Sequence, residues 1–424
     1  MVQKTTSQKI ILGIQHTLAM FGATVLVPAL TGMDTAITLF CAGLGTLLFH
    51  WITKKKVPVF LGSSFAFMGG IIAVIGNSRM GSPDFLEKLA AVKGALIVAG
   101  TIYMLLSLLI KFIGYEKVNQ LLPPVVTGPV IIIIGLRLSS SAISNAFTGG
   151  SGIFQIKYFI VTVIVLATII LISIFAKGIF NLMPILFAII AGFIACIPLG
   201  LCDFSRVSSA HFFSFMDQNV MSQVLTMPTF RADAILAIAP IALVTFIEHV
   251  GDITTNGAVC GKNFMIDPGI HRTVLGDGVA TAFAGLLGGP ANTTYGENTG
   301  VLAVTKNYDP AIIRIAACFA IFLGLFGKVG GFIASIPAAV TGAISIVLYG
   351  MISAVGVRIL INAKLNYANS KNLMITALIL VLGIGCDSIP ITQTVTISGM
   401  ALAAFVGIIL AAILPQGADS TLKD

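Results

Sequence analysis

The stretch Asn292-Thr293-Thr294-Tyr295-Gly296-Glu297-Asn298 decides the fold, because small, polar and β-favouring residues interrupt a segment otherwise apolar enough to cross a membrane. A similar stretch, Leu61-Gly62-Ser63-Ser64-Phe65-Ala66-Phe67, lies in the first half of the chain. Non-helical backbone at membrane depth is tolerated only where it lines a cavity enclosed by protein. We therefore expect two broken spans, each followed by a half-helix whose N-terminus faces a cavity. The alternative is that both are ordinary loops, and the carboxylate of Glu297 argues against it for the second.

The rest of the chain has the composition of a membrane protein. Of 424 residues, 57% are hydrophobic and only 9% are charged, with a mean hydropathy of +1.03, whereas soluble domains carry about 25% charged residues. A spanning helix needs roughly 20 mostly apolar residues, and about fourteen such stretches fit the chain. They begin near residues 9, 34, 59, 89, 122, 157, 181, 232, 271, 292, 311, 336, 371 and 395. We expect an all-α integral membrane protein without a cleavable signal peptide, because the first stretch is too long and has no clear cleavage site.

An internal repeat divides the chain into halves. Residues 123–128 and 337–342 share the pattern P-x-x-V-T-G, and each opens an apolar stretch. The two copies are 214 residues apart, about half the chain length, which is typical of two structural repeats in a transporter. Seven spans per half, an odd number, would invert the second repeat. The alternative is that two similar helix starts arose by chance.

The net charge of +8 indicates membrane topology and not nucleic-acid binding. With fourteen spans and a cytoplasmic N-terminus, sixteen lysines and arginines lie inside and seven outside, as the positive-inside rule requires. The outer set is Arg79, Lys88, Arg137, Lys157, Arg206, Arg231 and Lys328. We expect a multi-pass protein of the plasma or inner membrane with both termini in the cytoplasm.

Three acidic residues fall within predicted spans, namely Glu248 and Asp252 in the eighth and Glu297 in the broken tenth. The spacing i, i+4 puts the first two on one helical face. A charge at mid-membrane costs at least ~2.5–3.5 kcal/mol, so intramembrane carboxylates usually belong to a substrate or proton pathway. The alternative, a helix-end pair reaching the cytoplasmic surface, applies only to Asp252.

Other polar residues in apolar segments favour structural roles. Asp277 is interpreted as a helix-entry residue near the cytoplasmic side, and His16 as a satisfied structural histidine rather than a proton carrier. His249 lies about 100° from Glu248 on the helix and is expected to face a neighbouring segment. Lys93 is expected to snorkel towards the membrane surface.

The motifs resemble those of the nucleobase–ascorbate transporter family, most closely its bacterial uracil carriers. Glu297 to Lys306 fits the family signature [Q/E/P]-N-x-G-x-x-x-x-T-[R/K/G], and Gln15-His16, residues 61–67 and Glu248-His249-Val250-Gly251 match in the family's order. The resemblance implies two inverted repeats of seven segments. It also implies a core domain from residues 1–120 and 232–334, segments one to four and eight to eleven. A gate domain is implied from residues 121–231 and 335–424, segments five to seven and twelve to fourteen.

The resemblance also implies a site. Glu248 and Glu297 would hold the pyrimidine ring, the backbone N–H groups of Phe65 and Gly296 would face the base carbonyls, and Tyr295 would line the pocket. Glu at the first motif position is typical of uracil carriers, whereas xanthine and urate carriers tend to have Gln. The chain departs from the uracil pattern at Asp252, where that pattern has His and purine-transporting relatives have carboxylates.

We expect a secondary active transporter that imports uracil with protons, using Glu248 and Asp252 for coupling and alternating access between core and gate. The alternative substrate is xanthine or another purine, coupled to H⁺ or Na⁺. No cofactor, metal or nucleic-acid partner is expected, and the resemblance suggests a homodimer. An enzyme is disfavoured because the five histidines form no group with a nucleophile or metal ligands. A channel is disfavoured because inverted repeats favour alternating access.

Overall fold

A computed structural model describes residues 5–76, 78–79, 82–116, 123–178, 180–386, 388–390 and 396–415, most of them helical. The first part contains α1 (Thr6–Thr31), α2 (Thr35–Ile52), β1 (Leu61–Ser63), α3 (Phe65–Ile75), α4 (Phe85–Ile113), α5 (Pro124–Thr148), α6 (Ile156–Phe175), α7 (Pro184–Cys196), α8 (Ser205–Ser209) and α9 (Gln218–Leu225). The second contains α10 (Ala232–Ile238), α11 (Ile241–Cys260), α12 (Ile270–Leu287), β2 (Asn292–Thr294), α13 (Gly296–Thr305), α14 (Pro310–Leu325), α15 (Gly327–Ala334), α16 (Ala338–Asn362), α17 (Ser370–Gly385), β3 (Ser388–Pro390), β4 (Thr396–Ser398) and α18 (Gly399–Ile413).

The helices have the lengths that a membrane requires. In the described ranges, seven helical stretches are long and apolar enough to cross a bilayer: α1, α2, α4, α5, α6, the α10–α11 pair and α16. Shorter apolar helices are α3, α7, α14, α17 and α18. Together with α12 and the β2–α13 unit, they follow the predicted segments in order. The prediction of a many-pass helical membrane protein is confirmed.

Two short strands meet inside the helical bundle. β1 and β2 pair antiparallel, with Leu61 opposite Thr294 and Ser63 opposite Asn292. The pairing continues beyond the strands, because Ser64 N donates to Ala291 O at 2.9 Å and Tyr295 N donates to Phe60 O at 3.0 Å. The half-helices α3 and α13 start directly afterwards. Pairing satisfies the backbone of both strands where no water is supplied by the bilayer, and it confirms the two predicted broken spans.

The repeated motif opens two helices of equal length. Pro123 precedes α5 and Pro337 precedes α16, and both helices have 25 residues. The helices pack antiparallel, since Gly128 near the start of α5 faces Gly356 near the end of α16. A Cβ on either glycine would lie 2.6–3.1 Å from the other's carbonyl oxygen, so the backbones need glycine to approach this closely. The inverted repeat is confirmed.

The helices associate in two groups. α12 packs against α2 and α4, and α14 packs against α1 and α2. In the other group, α5 packs against α16 and α17, and α17 packs against α18.

The segment from α8 to α9, called the connector below, joins the two groups. It is fixed to the group that contains α2 and α4. Lys328 Nζ, on α15, donates to Val207 O at 2.9 Å and to Ser208 O at 3.1 Å. Further along, Lys93 Nζ on α4 donates to the carbonyl oxygens of Gln223, Val224 and Thr226 at 3.0, 3.1 and 2.6 Å. Lys93 is 0% exposed. The prediction that Lys93 snorkels was wrong, because the end of α9 supplies buried acceptors for its ammonium group.

Three further features differ from or add to the sequence predictions. Arg137, counted as an outer residue, lies within α5, where its Nη1 donates to Gly383 O at 3.0 Å and Cys386 O at 2.5 Å beside the end of α17. The eighth span is divided at Pro240, between α10 and α11. A second antiparallel strand pair, β3–β4, precedes α18. The run of β-branched residues Thr394-Val395-Thr396-Ile397 is the sequence signal that could have indicated β4.

Candidate functional site

Two of the predicted carboxylates lie along the middle of α11. Glu248 is exposed and Asp252 is half-buried, although both belong to a helix within the span Ala232–Cys260. The charge of Glu248 interacts with those of Glu297 and Asp277, and the charge of Asp252 interacts with all three. These four residues are called the carboxylate cluster below because their charges interact, although Glu248 itself is exposed. Glu248 is exposed, so its carboxylate is accessible from outside the protein.

The β2–α13 junction lies against Asp252. Thr294 Oγ1 donates to Asp252 Oδ2 at 3.3 Å. A Cβ placed on Gly296, the first residue of α13, would lie 3.6 Å from Asp252 Oδ1. Asp252 is therefore beside the start of the half-helix and two turns before the end of α11. The alternative interpretation of Asp252 as a residue at the cytoplasmic helix end was wrong.

Glu297 and the two half-helix starts face the same region. Glu297 is half-buried in the first turn of α13, next to the exposed Gly296. Phe65 is the first residue of α3, which begins at the end of β1 next to β2. The first N–H groups of a helix have no acceptor within it and carry partial positive charge. The antiparallel strands thus bring two sets of donors and the carboxylate of Glu297 into one region.

Tyr295 holds the half-helix in place. Its side chain is only 5% exposed, and its hydroxyl donates to Ser63 O at 2.7 Å. Ser63 Oγ in turn donates to Thr24 O at 2.8 Å, which joins β1 to α1. The ring covers Gly62 so closely that a Cβ there would lie 2.5 Å from Tyr295 Cε2. Tyr295 directly precedes Gly296, and its contacts with β1 fix the position of α13.

A buried histidine–aspartate pair is hydrogen-bonded to β2. His249 Nδ1 is 2.9 Å from Asp277 Oδ2, and its Nε2 is 2.9 Å from Thr273 Oγ1. Thr294 N donates to the same Asp277 oxygen at 3.3 Å. Asp277 is 0% exposed, and seven residues of α12 precede it, so the prediction of a helix-entry residue was wrong. The prediction that His249 faces a neighbouring segment is confirmed.

Two asparagines that sequence reasoning did not single out connect the half-helix to its neighbours. Asn298 Nδ2 lies 3.1 Å from His16 Nδ1 and 3.1 Å from His16 O. Asn256 Nδ2, on α11, donates to Pro58 O at 3.2 Å and to Thr299 Oγ1 at 3.1 Å. His16 is 1% exposed and has these contacts, which agrees with its structural interpretation. The signature residues Asn298 and Thr299 thus position α13.

The cluster has the chemistry of an organic-ligand site. Across the described residues, no three His, Cys, Asp or Glu side chains are grouped in a way that could hold a metal ion. Carboxylates are strong acceptors for N–H groups, and helix N-termini are donors suited to carbonyl oxygens. Glu248, Glu297 and the starts of α3 and α13 can therefore bind a planar molecule that carries both kinds of group.

Comparison with known proteins agrees with this arrangement. Residues 7–392 match the Permease family. A uracil permease of Bacillus caldolyticus is 42% identical over 424 aligned residues, which cover 99% of this chain and 96% of that protein. Uracil permeases of Bacillus subtilis (strain 168) and Escherichia coli (strain K12) are 42% and 36% identical, over 96% of this chain and 92% and 91% of theirs.

Solved structures of other transporters share the fold. The transmembrane domain of the cyanobacterial bicarbonate transporter BicA superposes with a TM-score of 0.63 at 15% identity, covering 95% of this chain and 96% of that one. The murine anion transporter Slc26a9, in its inward-facing state, gives 0.71 at 10% identity, covering 97% and 68%. These likenesses concern the fold alone. The chain is therefore a membrane transporter of the Permease family, the family that its motifs had indicated, and not an enzyme.

Proposed function

We propose that the protein imports uracil by symport with protons. The observation that carries the proposal is the cluster of Glu248, Asp252 and Glu297 at the start of a half-helix, inside a helical membrane domain. The names of the relatives from Bacillus and Escherichia coli support uracil as the substrate, because they match nearly the whole chain. Xanthine or another purine, carried with H⁺ or Na⁺, is the competing outcome of the test below.

Uracil complements the site. It offers two ring N–H donors, which Glu248 and Glu297 would accept in charge-assisted hydrogen bonds. Its two carbonyl oxygens would accept from the backbone N–H groups of Phe65 and Gly296. Because Gly296 has no side chain, the base can approach the backbone of α13 closely. Tyr295 would contribute as part of the pocket wall and by fixing that backbone.

Proton coupling is assigned to Glu248 and Asp252. Symport requires that the proton and the base together favour one conformation more than either does alone. A shared proton would reduce the repulsion among the carboxylates, and so would permit the base to bind beside Glu297. Asp252 is suited to this role because Thr294 and Gly296 link it directly to the half-helix that would hold the base.

Transport would proceed by rocking of a core domain against a gate domain. The proposed core comprises residues 1–120 and 232–334, and the gate comprises residues 121–231 and 335–424. The packing of α12 and α14 on α2, and of α5 on α16 and α17, supports this division. We also propose that both termini lie in the cytoplasm, that the membrane is the plasma or inner membrane, and that the protein forms a homodimer.

The test is uptake of radiolabelled uracil into proteoliposomes with and without an inward proton gradient. We expect the gradient to raise both the initial rate and the accumulated uracil, and a protonophore to remove the accumulation. If uptake does not change with the proton gradient but rises with an inward sodium gradient, proton coupling is overturned. Absence of uracil uptake, together with uptake of radiolabelled xanthine, would replace uracil by xanthine as the substrate. Asp252→Asn separates the two roles, because it should keep equilibrium exchange of uracil while losing gradient-driven accumulation.

A further inference from the structure

The turn between α2 and β1 presents consecutive lysines. Lys54, Lys55 and Lys56 are all exposed. The first two have φ angles of 56° and 58°, in the left-handed region that side chains other than Asn, Asp and Gly rarely adopt. The turn is held by its own backbone, because Lys54 N donates to Trp51 O at 3.2 Å and Lys55 N donates to His50 O at 2.6 Å. The lysine side chains are thus displayed from a rigid turn.

Two more cations from other helices lie at the same end of the bundle. Arg272, at the start of α12, donates from Nη1 to Ile52 O at 3.2 Å, immediately before the lysine turn. Lys111 lies at the end of α4, one turn after Ser107, whose hydroxyl donates to His271 O at 2.6 Å beside the start of α12. Lys54, Lys55, Lys111 and Arg272 are called the cationic patch below.

The third lysine of the turn, Lys56, already has an acidic partner. Asp267 pairs with Lys56, with both carboxylate oxygens 2.6 Å from Nζ. In the ranges that the structure describes, no carboxylate lies within 4.0 Å of a charged nitrogen of the cationic patch. Four like charges on one protein surface create a local positive potential that attracts anions. The patch therefore calls for an anionic partner from outside the chain.

Large apolar side chains surround the patch. Trp51 and Phe112 are each 74% exposed, and Ile266 is 77% exposed. Aromatic side chains at the ends of spanning helices typically lie at the level of the lipid headgroups. Cations at the same helix ends would then meet lipid phosphates and not a soluble macromolecule, because the aromatic side chains beside them would lie among the headgroups.

We propose that the cationic patch binds the headgroup phosphates of anionic phospholipids. Basic pockets between spanning helices are suited to such headgroups, and a lysine near an anionic surface strengthens binding by about fivefold. Three helix ends contribute to the patch, so one bound lipid would bridge α2, α4 and α12. The proposal does not depend on which solute the protein carries.

Trp51 provides the test, because it is the only tryptophan in the 424-residue chain and adjoins the lysine turn. The protein would be reconstituted in phosphatidylcholine vesicles containing rising fractions of dibrominated phosphatidylglycerol or, separately, dibrominated phosphatidylcholine. Bromine quenches tryptophan fluorescence on contact, so the two titrations give the relative affinity of the two lipids beside Trp51. We expect a preference of about fivefold or more for phosphatidylglycerol, reduced towards one by 0.5 M NaCl.

The double variant Lys54→Asn/Lys55→Asn removes two charges while retaining a residue that tolerates positive φ. Lys364→Asn is the matched control, since Lys364 is an exposed lysine with a φ of 49° in a different loop. We expect the double variant to lose most of the preference and the control to keep it. Equal quenching by the two brominated lipids in the unmodified protein would overturn the proposal. An equal loss of preference in the control would also overturn it, because the effect would then follow net charge and not the patch.

Discussion

Substitution of Gly296 by alanine tests the proposed site with little risk to the fold. A Cβ at this position would meet only Asp252 Oδ1, at 3.6 Å, which is an ordinary van der Waals contact. Gly296 begins α13, and alanine is the better helix former by up to about 1 kcal/mol in a helix interior. We therefore expect Gly296→Ala to leave the thermal unfolding midpoint in detergent unchanged or slightly raised.

The same methyl group would stand where the base is proposed to approach the backbone. A carbonyl of the base would lose its hydrogen bond to the Gly296 N–H, which costs roughly 1–3 kcal/mol when the group is left without a partner. This corresponds to a rise in the dissociation constant of about five- to 150-fold. Isothermal titration calorimetry with uracil measures that constant, and initial uptake into proteoliposomes should fall in parallel at subsaturating uracil.

Gly330→Ala is the matched control. Gly330 lies on α15, and a Cβ there has no neighbouring heavy atom within 4 Å, so the substitution adds a methyl group away from the site. It should leave both the affinity and uptake unchanged. If Gly296→Ala binds uracil as the unmodified protein does, Gly296 does not contact the base, and the assignment of the α13 N-terminus to the carbonyl group is wrong.

Three further predictions concern side chains. Glu297→Gln should weaken uracil binding by about ten- to a hundredfold through loss of a charge-assisted hydrogen bond; unimpaired uracil uptake would exclude Glu297 from the site. Lys93→Met should lower stability by about 2–4 kcal/mol, because three carbonyls lose their donor; an unchanged unfolding midpoint would contradict this. Burial of the Asp309 carboxyl raises its pKa, but hydrogen bonds from Lys9 and the Ala311 N–H outweigh burial, so the pKa lies below its ordinary value. The stabilisation of the folded state by the ionised Asp309 is then complete at neutral pH and is lost as the pH falls through that lowered pKa. Asp309→Asn should remove this pH dependence and lower the free energy of unfolding by less than about 1 kcal/mol. Asp309→Ala also loses the N-cap hydrogen bond from Ala311 N at 2.9 Å, so it should lower the free energy of unfolding by about 1 kcal/mol more.

The order of the segments and the two broken spans were predictable because each depends on local composition. A run of about 20 apolar residues is long enough to cross a bilayer whatever lies elsewhere in the chain. Gly and polar residues around Ser63 and Thr293 similarly mark non-helical backbone in each half. Pairing between the strands then follows, because their backbone groups need partners inside the protein.

The partners of buried polar side chains were not predictable in the same way. Asp277 was judged by its local Gly-Asp-Gly context, but its role depends on His249 and Thr294, which come from other segments. Lys93 was judged as a residue with access to the membrane surface, but the acceptors at the end of α9 lie 130–133 residues away. The energetic cost of a buried charge should have indicated a partner in both cases, although it does not name one.

The attachment of the α8–α9 connector has a mechanical consequence. Lys328 and Lys93 fasten this connector to α15 and α4. If the two groups of helices move relative to each other, the covalent link must therefore change its conformation elsewhere. Residues 197–204, between the ends of α7 and α8, carry no helix or strand and can reach about 26–29 Å when extended. A relative motion of the two groups would then be taken up within this segment, where Leu201 N donates to Cys196 O at 3.1 Å and Leu199 O accepts from Lys157 Nζ at 3.1 Å. A cross-link from residue 328 to residue 207 should leave transport intact, whereas one from α7 to α14 should stop it.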